Sequence, residues 1–342
     1  MKKKKVIFLT IAGILTIGSA TWAWAWYDVV NGKALDVDAE FELLIYPGSQ
    51  LPDVILKLKA EAGLRHPGSF QKIADYMNYS GQVKPGRYLL QPQISNVELI
   101  RRLRSGEQDA VRVTIPTKRS LDEIAMATAK NLLFGPDSLK TLLKDTSLLA
   151  SFGVSHATAF ALFIPDTYFI FWNTSAREFL NRMKSEADSF WNEKRMGLSS
   201  RLSMSREEIT TLASIVQAES ARQTERPTIA GVYINRLKKG WKLQADPTVI
   251  FATGDFSIRR VLYEHLEFDS PYNTYKYEGL PPGPINNPEP GAMDAVLEYK
   301  EHDYMFFCAR DDFSGYHHFS QTLKEHLEYA RQYQEKLNRR GQ

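Results

Sequence analysis

Hydrophobic positions along the chain fall into three regimes. Residues 6–26 form an uncharged, mostly apolar run behind Lys2–Lys5. From about 41 to 240, apolar residues recur at strand or helix spacing. From 241 to 290 the periodicity fades, and prolines stand at 247, 271, 281, 282, 284, 288 and 290. The first run is long enough to cross a bilayer as a helix. The four lysines predict a cytoplasmic tail at 1–5, and Trp22, Trp24, Trp26 and Tyr27 form an aromatic belt at the far end. Ala23-Trp-Ala25 also fits a signal-peptide cleavage pattern. Length and belt favour an uncleaved single-pass anchor at 6–26 in the inner (cytoplasmic) membrane. The remainder is then expected in the periplasm or extracytoplasmic space.

The periodic region predicts a strand over 41–47, a turn at Gly48-Ser49, and helices near 51–61 and 68–79. Val83–Leu90 reads as a turn entering a strand. Ser95-x-x-Glu98 is a capping box opening a helix that Gly106 stops. These elements make a small module over 38–110 with strand–helix–helix–strand–helix order. A strand at 111–116 and a helix from Ser120 follow, echoing the first strand–loop–helix at an offset of 69 (Pro47 with Pro116, Ile55 with Ile124). So few matches are equally consistent with chance. Residues 137–200 read as helical, interrupted by 163–169. Ser205-x-x-Glu208 opens another helix, and one more covers about 226–239. Beyond the loop-rich stretch come a helix at 291–300, a strand at 304–309 and a charged amphipathic helix from about 320. The expected class is α+β, with a mixed domain over 111–342 whose long loop is functional rather than disordered.

The formal net charge is +3, and without the four leading lysines it is −1, so the exported part has no basic excess for nucleic acid. The single cysteine, Cys308, forbids an intrachain disulfide and reads as a buried thiol beside Met305, Phe306 and Phe307. No phosphate loop, nucleophile elbow or zinc helix is present. His317-His318 with Glu325 and His326 match no metal-ligand spacing, so neither metal nor cofactor is expected.

The residue that carries chemistry is Glu219. Leu212, Ile215 and Val216 lie seven, four and three positions before it. With about 3.6 residues per turn, these offsets put the carboxylate on the apolar face of its helix. Burial there raises a carboxyl pKa and suits it to general acid catalysis. The plainer reading pairs Glu219 with Arg222 or Arg226 on the next turn. Downstream stand Asn235-Arg236, Gln244-x-Asp246-x-Thr248, Tyr272-Asn273-x-Tyr275, Leu280-Pro281-Pro282-Gly283, Ile285 and His318. Tyrosines, amides and short carboxylates on rigid loops suit a sugar. A surface linker is the plain alternative for the Pro/Gly run.

Leu212-Ala-Ser-Ile-Val-x-x-Glu219, Ile234-Asn-Arg-Leu237, Leu243-Gln-Ala-Asp-Pro-Thr248, Tyr272-Asn-Thr-Tyr275, Gly279-Leu-Pro-Pro-Gly-Pro-Ile285 and His318-Phe-Ser320 resemble the endolytic murein transglycosylases, the MltG/YceG-like family. The likeness covers nearly the whole chain, including Ile164-Pro-Asp-Thr-Tyr168 and a LysM-like module before the catalytic domain. Two departures stand out. Phe160-Ala161 occupy the place of a Glu-Gly pair frequent in the family, so that stretch has no catalytic role. Gln217 replaces a second glutamate, which points to Glu219 as the essential acid. The resemblance implies non-hydrolytic cleavage between N-acetylmuramic acid and N-acetylglucosamine, leaving 1,6-anhydro ends, with the other quoted residues binding the strand. Asp246 is then either electrostatic support or a turn element before Pro247. Implied partners are peptidoglycan strands, the inner membrane and synthases of the penicillin-binding type. The competing readings are a non-catalytic peptidoglycan-binding scaffold and an anchored peptidase or amidase.

Overall fold

The structure is a computed structural model that describes residues 2–340, and their side chains from residue 16 onward. Helix α1 spans Lys2–Asn31. Among the described residues no helix is long and apolar enough to cross a membrane. The side chains of residues 6–15, half of the expected anchor, lie outside the described residues. The chain forms two compact units: Met1–Arg112 with the short segments 131–133 and 169–174, and the rest.

In the first unit, β1 (Phe41–Ile45), α2 (Leu51–Ala62), α3 (Pro67–Tyr76), β2 (Gly86–Leu90) and α4 (Asn96–Ser105) follow in order. β1 and β2 pair antiparallel with Leu43 opposite Tyr88, and both side chains are fully buried with Leu58, Phe70 and Leu99. The expected capping box forms: Ser95 Oγ accepts from the Glu98 amide, and Glu98 accepts from the Ser95 amide at 3.0 Å. Gly106 ends α4 at φ 75°, a left-handed conformation glycine adopts without a Cβ clash.

The second unit begins within β3 (Ala110–Thr114). It continues through α5 (Leu121–Ala129), α6 (Gly135–Leu143), α7 (Thr146–Ser151), the first two residues of β4 (Thr167–Phe171), α8 (Ala176–Phe190), α9 (Glu193–Leu202), α10 (Arg206–Glu219), α11 (Arg226–Lys238), α12 (Asp246–Thr253), α13 (Tyr263–Leu266), α14 (Pro290–Leu297), β5 (Phe306–Ala309), β6 (His317–Ser320) and α15 (Leu323–Arg339). β4 lies at the predicted interruption and pairs with β3, while β6 pairs antiparallel with β5, Phe307 opposite Phe319. The fold class is α+β. Four elements were not expected: β4, β6, α12 and α13. Each has eight residues or fewer.

The core centres on α10, whose residues Ile209–Val216 are buried without a break. The middle of the helix is therefore packed on all sides rather than amphipathic, and it opens only in its first and last turns. α11 and α14 pack on it through Ile229, Tyr233, Met293 and Val296. Ser214 pins the Pro/Gly run: its hydroxyl accepts from the Ile285 amide at 3.0 Å, and its carbonyl accepts from Asn286 at 2.9 Å. Asn287, fully buried, donates to the carbonyls of Pro116 (3.1 Å) and Phe163 (3.0 Å) and accepts from the Lys118 amide (2.7 Å). The run is thus an internal tie, not a surface linker. Asn287→Ala leaves three backbone groups without their partner, one of them fully buried, and is expected to lower unfolding free energy by roughly 2–4 kcal/mol. A urea titration showing a loss below about 1 kcal/mol would contradict this tie.

Candidate active site

Glu219 is the last residue of α10. Ser220 turns the chain into extended backbone, and the helix exit leaves the carboxyl half-buried rather than sealed. The Tyr233 hydroxyl, from α11, donates to Glu219 Oε1 at 2.7 Å. Neither nearby arginine neutralises the acid. Arg226 pairs with Glu289 at 2.9 Å and donates to the Ser220 carbonyl, while Arg222 donates to the Ser314 carbonyl at 2.5 Å. Burial pushes the Glu219 pKa up to about 7; the Tyr233 bond opposes this, the charge of Asp246 adds to it, and Arg236 opposes it. Burial also raises the Tyr233 pKa well above its usual value, so its hydroxyl remains a donor.

Glu219 opens into a cavity of about 320 Å³ lined by Tyr233, Arg236, Gln244, Asp246, Tyr275, Phe306, Phe307, Leu323 and His326. Asp246 begins α12, and the Tyr275 hydroxyl donates to it at 2.6 Å. Burial, then the bond to Asp246, raises the Tyr275 pKa. Arg236 donates to the carbonyls of Met305 (2.8 Å) and Leu243 (2.5 Å), and its guanidinium lies over the Phe306 ring. These bonds hold β5 and the Gln244 loop at the cavity wall. Gln244 itself sits at φ 50°, with its amide bonded to the Thr274 carbonyl. The strained backbone presents its exposed side chain to the cavity.

Five residues read from the sequence therefore converge: Glu219, Arg236, Gln244, Asp246 and Tyr275. The others lie around them. Asn235 donates to the carbonyls of His302 and Tyr304 at 2.7 and 3.1 Å, fixing the approach to β5. Thr248, fully buried, shares a 2.8 Å hydroxyl bond with Thr274. Asn273 ties its own loop through the carbonyls of Leu266 and Phe268, both at 2.8 Å. Tyr272 packs on Phe251, ring centroids 4.8 Å apart. Leu280 and Ile285 join the hydrophobic core. Pro281 is buried and Pro282 exposed, and a Cβ at Gly283 would meet the Ala157 carbonyl oxygen at 2.1 Å. His318 stacks on Tyr329 at 4.4 Å, outside the cavity lining. Gln217 is also structural: it accepts from the Glu289 amide at 2.7 Å and donates to Thr117.

Sequence reading missed Tyr233, Phe306, Phe307, Leu323 and His326. Only Tyr233 left a signal, three residues before Arg236 on one helical face. Phe307 packs edge-on against Tyr233 at 5.9 Å, and His326 stacks on Phe306 at 5.4 Å. Burial, then Arg236, lowers the His326 pKa. Cys308 is half-buried on β5, its thiol pKa raised by burial. Among the described residues no cluster of histidine, cysteine or carboxylate side chains is arranged to hold a metal ion.

The YceG-like family model matches residues 43–332. A Bacillus subtilis (strain 168) protein named endolytic murein transglycosylase is 31% identical over 303 residues, covering 84% of this chain and 82% of that protein. A Streptococcus pneumoniae (serotype 2) protein of the same name is 26% identical over 355 residues, and this chain spans 63% of its length. The 2.6 Å crystal structure of a yceG-like protein from Listeria monocytogenes superposes with a TM-score of 0.54 at 30% identity, over 85% of this chain and 99% of that one. With a family match over most of its length, the chain belongs to the YceG-like family.

Proposed function

We propose that this protein is an endolytic peptidoglycan lytic transglycosylase that cuts the bond from N-acetylmuramic acid to N-acetylglucosamine with Glu219 as its acid and base. The observation that carries this reading is the Glu219 carboxyl, its pKa pushed up by burial, opening into a cavity large enough for a substrate group. The names of the relatives fit the same reading. Protonated Glu219 donates to the glycosidic oxygen as the bond to C1 breaks. The resulting carboxylate accepts the proton of the muramyl C6 hydroxyl as that oxygen closes on C1. The acid regains its proton and the product ends as a 1,6-anhydro sugar. Ordinary glycosidases need a second carboxylate as nucleophile or water base, whereas here the substrate supplies the nucleophile. Asp246, held by Tyr275, stabilises the positive charge developing at C1. Tyr233 fixes the Glu219 carboxyl and leaves its other oxygen for the sugar.

The first unit supports a LysM-like glycan-binding role by its β–α–α–β order with paired outer strands. The run at 6–26 supports a single-pass anchor with the enzyme domain outside the membrane, within reach of penicillin-binding synthases.

Glu219→Gln is expected to lower glycan cleavage by roughly 10²–10⁴-fold while the protein stays folded and still binds strands. Purified sacculi digested by both forms and read by mass spectrometry provide the measurement. Comparable anhydro-ended fragments from the variant exclude the assignment, and free reducing ends from the wild type indicate hydrolysis instead.

The acid must carry its proton to act, so kcat/KM is expected to fall as pH rises through about 7. Tyr233→Phe removes a bond that favours the carboxylate, so the alkaline limb should move to higher pH. A limb that stays in place or moves down contradicts the role given to Tyr233.

A further inference from the structure

A second cavity of the same unit, about 500 Å³, has a different character. Phe160, Phe251, Tyr272 and Leu121 give it apolar walls, and Arg119, Lys144 and His156 also line it. Among the described residues, none of these three side chains forms an ion pair with an acid. The Arg119 guanidinium lies over the Phe256 ring at 5.4 Å, and one acid, Asp122, shares the lining without pairing with either cation. This cavity shares part of its lining with one that borders the Glu219 segment. A smaller one, about 90 Å³, shares Arg119 and Phe251 with it and is bordered by Ala218 and Pro247. These are the chain neighbours of Glu219 and Asp246, so the smaller cavity borders the two backbone segments that carry them.

Neutral sugar rings offer cations hydroxyl and amide oxygens but no opposite charge. A muramic acid ring is different, because its C3 oxygen carries a lactyl group and, through it, a peptide with free carboxylates and methyl side groups. The scissile bond leaves C1 of that same ring. A muramyl residue placed for attack at Glu219 must therefore lay its peptide close beside the acid. We propose that the Arg119–Lys144 cavity holds this stem peptide: cations take its carboxylates, and Phe160, Phe251 and Tyr272 take its alkyl groups. The assignment rests on the transglycosylase reading and names the part of the substrate that reading leaves unplaced. Charge-assisted bonds to carboxylates over an aromatic floor favour peptide-bearing strands over bare glycan.

Two measurements on the full chain test it, each comparing the wild type with the Arg119→Gln/Lys144→Gln double variant, whose changed side chains are exposed. The first is the ratio of cleavage rates on peptide-bearing strands and on strands stripped of peptide by an amidase. The wild-type ratio is expected to exceed that of the variant by about ten-fold, the factor expected from losing one charge-assisted bond. An unchanged ratio overturns the assignment. The second is calorimetric binding of N-acetylmuramyl-L-alanyl-D-glutamate and of its diamide. Weaker binding of the acid form alone in the variant supports the site, and equal loss for both forms overturns it. Failure of the wild type to release anhydro-ended fragments from either strand counts against the transglycosylase reading, and the binding comparison then decides the cavity by itself.

Discussion

Withdrawal of water from one carboxyl group is the constraint on which the second unit turns. Burial pushes the Glu219 pKa up to about 7, yet the residue keeps an opening into the cavity. Complete burial would close the carboxyl off from that opening, and full exposure would restore an ordinary acid. The position of the residue resolves this conflict. It stands at the exit of a fully packed helix, where the backbone turns to extended conformation and the core ends.

The surrounding contacts keep that compromise in place. Tyr233 offers the carboxyl a bond to one oxygen, which orients it but does not outweigh desolvation. Arg236, a buried cation close enough to lower the acid's pKa, spends its hydrogen bonds on backbone carbonyls instead. Had it formed an ion pair with Glu219, the acid would have been held ionised. Arg226 and Arg222, nearer in sequence, are likewise committed to Glu289 and to the Ser314 carbonyl. Burial is the larger cause of the raised pKa, and the absence of a cation partner preserves it.

The loop-rich stretch serves the same end by rigidity. Ser214, five residues before Glu219, receives the Pro/Gly run on α10, and Asn287 ties the end of that run to the segments at 116–118 and 163. Tyr275 and Thr274 then position the start of α12, which carries Asp246. Prolines limit the conformations of the free chain, and buried amides select one of them. A glycan cleft needs fixed walls, since positioning reacting groups is itself a large share of catalysis.

Local code was legible in the sequence. Capping boxes at Ser95, Ser175 and Ser205 act within four residues, and the first and last of these were read directly from the chain. Glu219 could be found because its apolar neighbours recur on one helix, and the motifs around Asp246 and Tyr275 marked the loop. The separation of cavity-lining residues from those that only brace them was not legible. Thr248, Asn273 and Asn235 share motifs with Asp246, Tyr275 and Arg236, yet their side chains bond to the protein itself. Phe306, Phe307, Leu323 and His326 reach the cavity from a hairpin and helix 87 to 107 residues beyond Glu219. Sequence spacing encodes which face of one element a residue occupies. Which distant element packs against that face, and so how dry the acid becomes, is decided only when the chain closes on itself.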